Sequence, residues 1–330
     1  MDEKQLLVLI QEDGYGYLAE RISFDEDMSK HCSMRVGGRA QGYIEPENID
    51  EIQFLVGLCR RHDWPVYVMG NGSNLVISDF GLPGLMIRLG PNFGQKSEAK
   101  VTEDGQCLTQ SIPAGALLSA TAMEYARAGW AGMAFAAGIP GTVGGAVYMN
   151  AGAYGWEMKD ILTAVTALDA RGDVIEYSKD ELDLGYRSSR FSKQCGIVSS
   201  RGVILSATFE LHKSDPEIIV SDILQMNAKR SSCQPLNLPS AGSAFKRPQG
   251  HYAGALIEKA GLKGLTIGGA QVSEKHCGFI VNTNRATAFD VYVLVQQVQK
   301  AVYEDSGVRL EPEICFLGEG FEGCGIPTHQ

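Results

Sequence analysis

Glycine, rather than any acid, base or thiol, marks the first places where this chain could do chemistry. Gly70-Asn-Gly-Ser-Asn-Leu stands between two short apolar runs, Pro65-Val-Tyr-Val-Met and Leu75-Val-Ile-Ser. A loop of that kind can turn successive amide N–H groups toward an anion, with Ser73 and Asn74 adding side-chain donors. The same residues could equally make a plain glycine hairpin that holds nothing. The segment opens like a dinucleotide fingerprint, but it lacks the third glycine and leads into a strand, and no G-x-x-x-x-G-K-[ST] exists elsewhere. Rossmann and P-loop nucleotide sites are therefore excluded. The second stretch is Ala137-Gly-Ile-Pro-Gly-Thr-Val-Gly-Gly-Ala-Val-Tyr-Met-Asn-Ala-Gly-Ala-Tyr-Gly, six glycines among mostly apolar residues. Backbone there must approach something closely, either another backbone or a large flat ligand. Two such loops in one acidic chain favour a dinucleotide held by backbone amides.

Other chemistries find less support. The eight cysteines, Cys32, Cys59, Cys107, Cys195, Cys233, Cys277, Cys315 and Cys324, are scattered without C-x-x-C or paired Cys/His spacing. They read as free, mostly buried thiols and no metal site is expected. A net charge of −10 argues against duplex nucleic acid or an anionic membrane as partner, because both require a basic face. No apolar run reaches the ~18 residues of a membrane span. The opening MDEKQLLVLIQEDG carries acids on both sides of its apolar run, unlike a signal peptide. A cytoplasmic protein is expected.

The elements that must position these loops are α+β in character. A short amphipathic helix leads in, and Gly42-Tyr-Ile-Glu-Pro reads as a strand ending in a turn. Asn48 with Glu51 starts a helix bearing Ile52, Leu55, Val56 and Cys59 on one face. Strands follow on either side of the first glycine loop, then a helix over about 117–128, and short strands with turns over 162–211. Helices are expected over 217–229, 252–260 and 287–303, the last boxed by Thr287 and Asp290, with a loop at 231–239 and a final strand at 314–317. A composition change places a boundary near residue 213, giving regions 1–213 and 214–318 and a tail, 319–330.

Seven segments taken in order are more specific than any of them alone. Gly70-Asn-Gly-Ser-Asn-Leu, Gly138-Ile-Pro-Gly-Thr-Val-Gly-Gly-Ala, Asn150-Ala-Gly-Ala-Tyr-Gly, Tyr186-Arg-Ser-Ser-Arg-Phe, Pro239-Ser-Ala-Gly-Ser-Ala-Phe-Lys, Gly268-Gly-Ala-Gln-Val-Ser-Glu-Lys-His and Glu311-Pro-Glu-Ile together resemble the UDP-N-acetylenolpyruvoylglucosamine reductases. The resemblance covers about residues 20 to 318. It implies an α+β, two-lobed FAD-binding fold of the vanillyl-alcohol-oxidase (PCMH) type, followed by a C-terminal α+β substrate domain. Non-covalent FAD would lie on Gly70, Asn71, Gly72, Ser73, Asn74 and Leu75, and on Gly138, Pro140, Gly141, Gly144, Gly145, Asn150, Ala151, Gly152 and Ala153. NADPH would reduce it, and a UDP-sugar would then be reduced in the same pocket. In that reaction a hydride adds to an enol ether conjugated to a carboxylate, so the protein must stabilise an enolate and protonate the neighbouring carbon. By resemblance Ser243 is the proton donor, and Arg187 and Glu313 stabilise the enolate. Tyr154, Arg247, Gln271 and Lys275 match substrate contacts. The short passage from Phe191 to the strand after it is similar to the family's short form, which lacks a substrate lid. A monomer is the expected state.

The sequence also departs from the family pattern. Cys32-Ser33 replaces a usual Asn-Thr, Ala134 a frequent Glu, and Arg247 a common Asn. Cys315 stands two residues after Glu313, where the family commonly has Arg; on a continuous strand the two would share a face. Arg247 is the candidate to supply the missing charge. His276 is as readily structural as basic, and His31 is not expected to bind flavin covalently. Two other functions remain open at this point: a flavin oxidoreductase acting on another sugar or alcohol, whose motifs should fade after residue 213, and a non-catalytic sugar-nucleotide sensor.

Overall fold

The computed structural model describes residues 1–192 and 202–321; Cys195, Cys324 and most of the expected tail lie outside them. The described residues fall into two compact units, each assembled from separated segments. The first comprises Met1–Ser23, Gly42–Asn71 and Gly84–Arg230, and the second Phe24–Gln41, Gly72–Pro83 and the chain from Ser231 onward. This division by compactness is not the single boundary near residue 213 read from composition.

The first unit is organised by the strand Val203–Lys213. From Leu205 to Leu211 its residues alternate between buried and more accessible, the period of a sheet with one covered face. It pairs antiparallel with Leu162–Leu168 on one side and Cys107–Pro113 on the other. Helix Leu118–Arg127 buries Leu118, Thr121, Ala122, Tyr125 and Ala126, a stripe at helical spacing. Strand Val66–Met69 runs parallel to Leu82–Arg88. Helix Ile49–Arg61 opens as expected, with the Asn48 side chain accepting from the Glu51 N–H.

In the second unit, strands Ser240–Ser243, Phe279–Asn282, Ala270–Val272 and Thr266–Ile267 form an antiparallel sheet in that order. Helix Ala288–Ser306 presents Val291, Leu294, Val295, Val298 and Val302 to the buried cluster that includes Met34, Val76, Phe245 and Phe316. Its start is fixed twice: Thr287 and Asp290 form the reciprocal capping box, and Asp79 accepts the Ala288 and Phe289 N–H groups, each at 2.9 Å. Asn282 holds the Phe24–Gln41 segment by donating to the carbonyl of Met34 at 3.1 Å. Strand Leu75–Ile77 pairs parallel with Cys315–Leu317.

Two elements depart from the sequence expectation. The glycine-rich stretch contains a helix, Val143–Tyr148, capped by Thr142. Helix Pro216–Cys233 continues beyond 229 into the region expected to be loop. All six described cysteines are free thiols; Cys32, Cys59 and Cys277 are buried, and Cys233 is exposed. Burial pushes the Cys32 and Cys59 thiols up to about 12. None of the described helices is long and apolar enough to cross a membrane.

Candidate active site

The first glycine loop is not a hairpin, because its flanking strands lie in different sheets. A methyl group on Gly70 would stand 2.2 Å from Thr142 Oγ1, so this glycine exists for close packing within the protein. Gly72 has φ +60°, the left-handed conformation that favours glycine. Asn71 donates to the Pro140 carbonyl at 3.3 Å and accepts from Arg88 at 3.4 Å, which Glu45 holds at 2.7 Å. These bonds align the two glycine segments. Among the described residues, the N–H groups of Asn71, Gly72, Ser73 and Asn74 and the Ser73 hydroxyl donate to no protein acceptor. Four successive amide donors without acceptors fit the diphosphate of a dinucleotide such as FAD. The Asn74 side chain serves a different purpose: it donates to the Glu313 carbonyl at 3.0 Å.

In the second stretch, several glycines prove to accommodate protein atoms. Methyl groups on Gly138, Gly144 and Gly152 would meet Asn227 Oδ1 at 2.8 Å, Ala114 Cβ at 2.8 Å and the Trp156 carbonyl at 2.4 Å. At these positions protein atoms occupy the space a side chain would need. Gly145 is less crowded, its nearest contact being Thr142 Oγ1 at 3.6 Å. Leu118 N–H ties Gly141 at 3.0 Å, and Ala151 and Ala153 continue the same backbone path into the short hairpin with Trp156. Asn150 is fully buried, and its side chain is consumed inside the protein. It donates to Glu157 at 3.0 Å and Gly185 at 2.8 Å, and accepts from Lys159 N–H at 2.9 Å. Asn150 therefore positions rather than touches a ligand through its side chain.

What Asn150 positions is the turn carrying Arg187. Gly185 and Ser188 pair across that turn, and Arg187 sits between them at φ +52°, a strained conformation for a residue with a Cβ. Its Nη2 donates to the Gly152 carbonyl at 3.0 Å and its guanidinium lies 5.0 Å from the Tyr186 ring centre. Ser189 anchors the turn again through the Tyr148 carbonyl at 2.7 Å. Tyr154 also adopts a positive φ, +56°, and its hydroxyl donates to the Met226 carbonyl at 2.7 Å.

Ser243 and Glu313 are brought together in the second unit. Ser243 ends a strand paired with Phe279, just after Gly242 at φ +79°. The next residue accepts from the Glu313 N–H at 2.9 Å through its carbonyl, and Phe245 pairs with Pro312. Both side chains are half-buried, and the Ser243 hydroxyl has no protein partner among the described residues. A bend at Ile314 interrupts the strand between Glu313 and Cys315, while burial still alternates, with Ile314 and Phe316 buried and Glu313 and Cys315 half-buried. Asn74 links them: its carbonyl accepts from Cys315 N–H at 2.8 Å, while its side chain holds the Glu313 carbonyl.

The remaining candidates are dispersed. Arg247 is exposed, its guanidinium 4.1 Å from the Tyr252 ring centre and its Nε donating to the His251 carbonyl at 3.3 Å. Gln271 donates to Thr266 at 3.0 Å, and Lys275 to the Ser231 carbonyl at 2.6 Å. His276 accepts from the Gly278 N–H at 3.1 Å, which is structural work. Ser33, flagged only as a departure, donates to the Ser240 carbonyl at 2.7 Å, and its N–H to Gly72 at 3.1 Å, so it ties the strand of Ser243 to the first glycine loop. Its hydroxyl was the available signal, since serine keeps the donor that threonine has.

Comparison with known proteins gives this site its context. Residues 40–178 match the family described as FAD binding domain, and residues 234–317 match UDP-N-acetylenolpyruvoylglucosamine reductase, C-terminal domain. The chain is 47% identical over 304 residues to the UDP-N-acetylenolpyruvoylglucosamine reductase of Agathobacter rectalis, spanning 89% of this chain and 93% of that one. It is 44% identical over 301 residues to that of Clostridioides difficile, spanning 91% and 94%. The crystal structure of the Thermus caldophilus reductase superposes with a TM-score of 0.72 at 34% identity, covering 90% of this chain and 98% of that one. The α+β architecture is therefore the flavin-binding fold of the PCMH type, and the chain belongs to the UDP-N-acetylenolpyruvoylglucosamine reductase family.

Proposed function

We propose that this chain reduces UDP-N-acetylglucosamine enolpyruvate to UDP-N-acetylmuramate, a peptidoglycan precursor, with Ser243 as proton donor and Arg187 and Glu313 as the residues that stabilise the enolate intermediate. The observation that carries the residue assignment is the Ser243 hydroxyl, without a partner among the described residues and one residue from the carbonyl that fixes Glu313. When bound, FAD supplies the hydride, itself replenished by NADPH. The amides of Asn71–Asn74 hold its diphosphate. Arg187, pinned to Gly152, offers a fixed guanidinium to developing carboxylate charge, and a pre-set donor avoids reorganisation during the reaction. Ser243 releases its Oγ proton to the adjacent carbon, and Glu313 orients the hydroxyl and keeps the local charge balanced. A serine is a weak acid in water, so its proton transfer depends on these charged neighbours.

The division into a flavin-binding region 1–213, a substrate-binding region 214–318 and a tail belongs to this reading. Its support is that the flavin-domain match ends at residue 178 and the reductase match begins at 234. That second match contains Ser243, Gln271 and Glu313, which speaks against an oxidoreductase sharing only the flavin lobes. Contacts of Tyr154, Arg247, Gln271 and Lys275 with the UDP-sugar, a cytoplasmic location and a monomeric chain are further parts of the proposal. The test is optical. Purified protein should show a flavin spectrum, release the flavin into the supernatant on acid precipitation, bleach with NADPH and recover colour on adding the enolpyruvyl sugar nucleotide. Recovery with oxygen alone and none with that substrate would reject the reading.

A further inference from the structure

Helix Pro216–Cys233 carries a cation that the assignments above leave unused. Arg230 is half-buried and forms no hydrogen bond or ion pair among the described residues. Half-burying a guanidinium without a carboxylate beside it costs part of its hydration, and in a chain with ten excess negative charges acidic partners are plentiful. Its surroundings indicate what it faces. A methyl group on Gly138 would lie 3.3 Å from Arg230 Cδ and 3.5 Å from Nη1, so the guanidinium rests against the start of the Gly-Ile-Pro-Gly segment. The Gly138 N–H itself has no protein acceptor among the described residues. Tyr154 donates to the Met226 carbonyl, one helical turn before Arg230 and on the same face. Burial holds the Arg230 pKa below the usual arginine value, partly opposed by Tyr154, and the side chain stays charged.

An accessible guanidinium fork beside a backbone donor that no described residue accepts from, and near an aromatic ring, matches a phosphate group attached to a nucleoside. We propose that Arg230 and the Gly138 N–H bind a phosphate oxygen of a nucleotide ligand, which makes Arg230 a binding residue of this enzyme. The inference rests on the reductase reading, under which three ligands share that chemistry: FAD, NADPH and the UDP-sugar.

The experiment measures three affinities in wild type, Arg230→Gln and Arg230→Lys. FAD binding to apoprotein is followed by flavin fluorescence, and binding of NADP+ and of UDP-N-acetylglucosamine to holoenzyme by perturbation of the flavin absorbance. Arg230→Gln should weaken at least one of them by about tenfold or more, with substantial recovery in Arg230→Lys, and the ligand affected names the source of the phosphate. All three affinities within twofold of wild type in Arg230→Gln would overturn the assignment, as would a loss that lysine does not relieve at all. Should the glutamine variant fail to fold, arginine modification by phenylglyoxal in the wild type decides the matter: protection of Arg230 by one of the three ligands supports the site, and equal modification with all three refutes it. A wild type that binds these ligands but does not turn over would strike the reductase reading and leave the Arg230 result standing.

Discussion

At the scale of single residues, the site is built by polar side chains that spend their hydrogen bonds on backbone. Asn150 is the clearest case. Replacing it with alanine removes three internal bonds from a fully buried position and leaves at φ +41° a residue that tolerates the left-handed region less well than asparagine does. Asn150→Ala should therefore lose about 2–3 kcal/mol of stability in denaturant unfolding, with glycine recovering only the backbone part. The variant should also slow substrate reduction more than flavin reduction, because the Arg187 turn loses its anchor at Gly185. An unchanged unfolding midpoint would show that Asn150 is not the clamp described here. From the sequence, Asn150 was read as part of a backbone lining the flavin; the motif was visible, but it does not reveal that the side chain spends three hydrogen bonds inside the protein. The same holds for Asn74, expected to donate to phosphate and found holding Glu313.

At the scale of elements, local signals were legible and tertiary ones were not. The starts at Asn48 and Thr287 could be read because the capping partner lies three residues away. Asp79 was invisible as a cap, being more than two hundred positions from the helix it serves. Asp79→Ala should destabilise the protein by about 1–2 kcal/mol, and Asp79→Asn by less, since an amide oxygen still accepts one N–H. Urea unfolding checks this; equal stability of Asp79→Ala and wild type would mean that the Thr287 box alone fixes the helix. Helix Val143–Tyr148 was missed for a related reason. Gly144 and Gly145 are poor helix formers, yet Gly144 lies against Ala114 so closely that no larger residue fits. Packing, not propensity, decides the helix there.

At the scale of the whole molecule, the two compact units could not be read along the chain, because each gathers separated segments and the changes fall within strands, a loop and the helix Pro216–Cys233. The α+β class and the order of motifs were legible, since they survive such interleaving. Ser243 and Glu313 belong to one unit, and Arg187 and the second glycine stretch to the other. The central claim is that Ser243 acts after flavin reduction, when carbon must be protonated. Stopped-flow measurement of the two half-reactions in Ser243→Ala tests it. The account predicts that the variant retains FAD and is bleached by NADPH at nearly the wild-type rate, while reoxidation by UDP-N-acetylglucosamine enolpyruvate slows by roughly 10²-fold or more, the lower end of what a positioned general acid contributes. Reoxidation of Ser243→Ala by that substrate at the wild-type rate would contradict it.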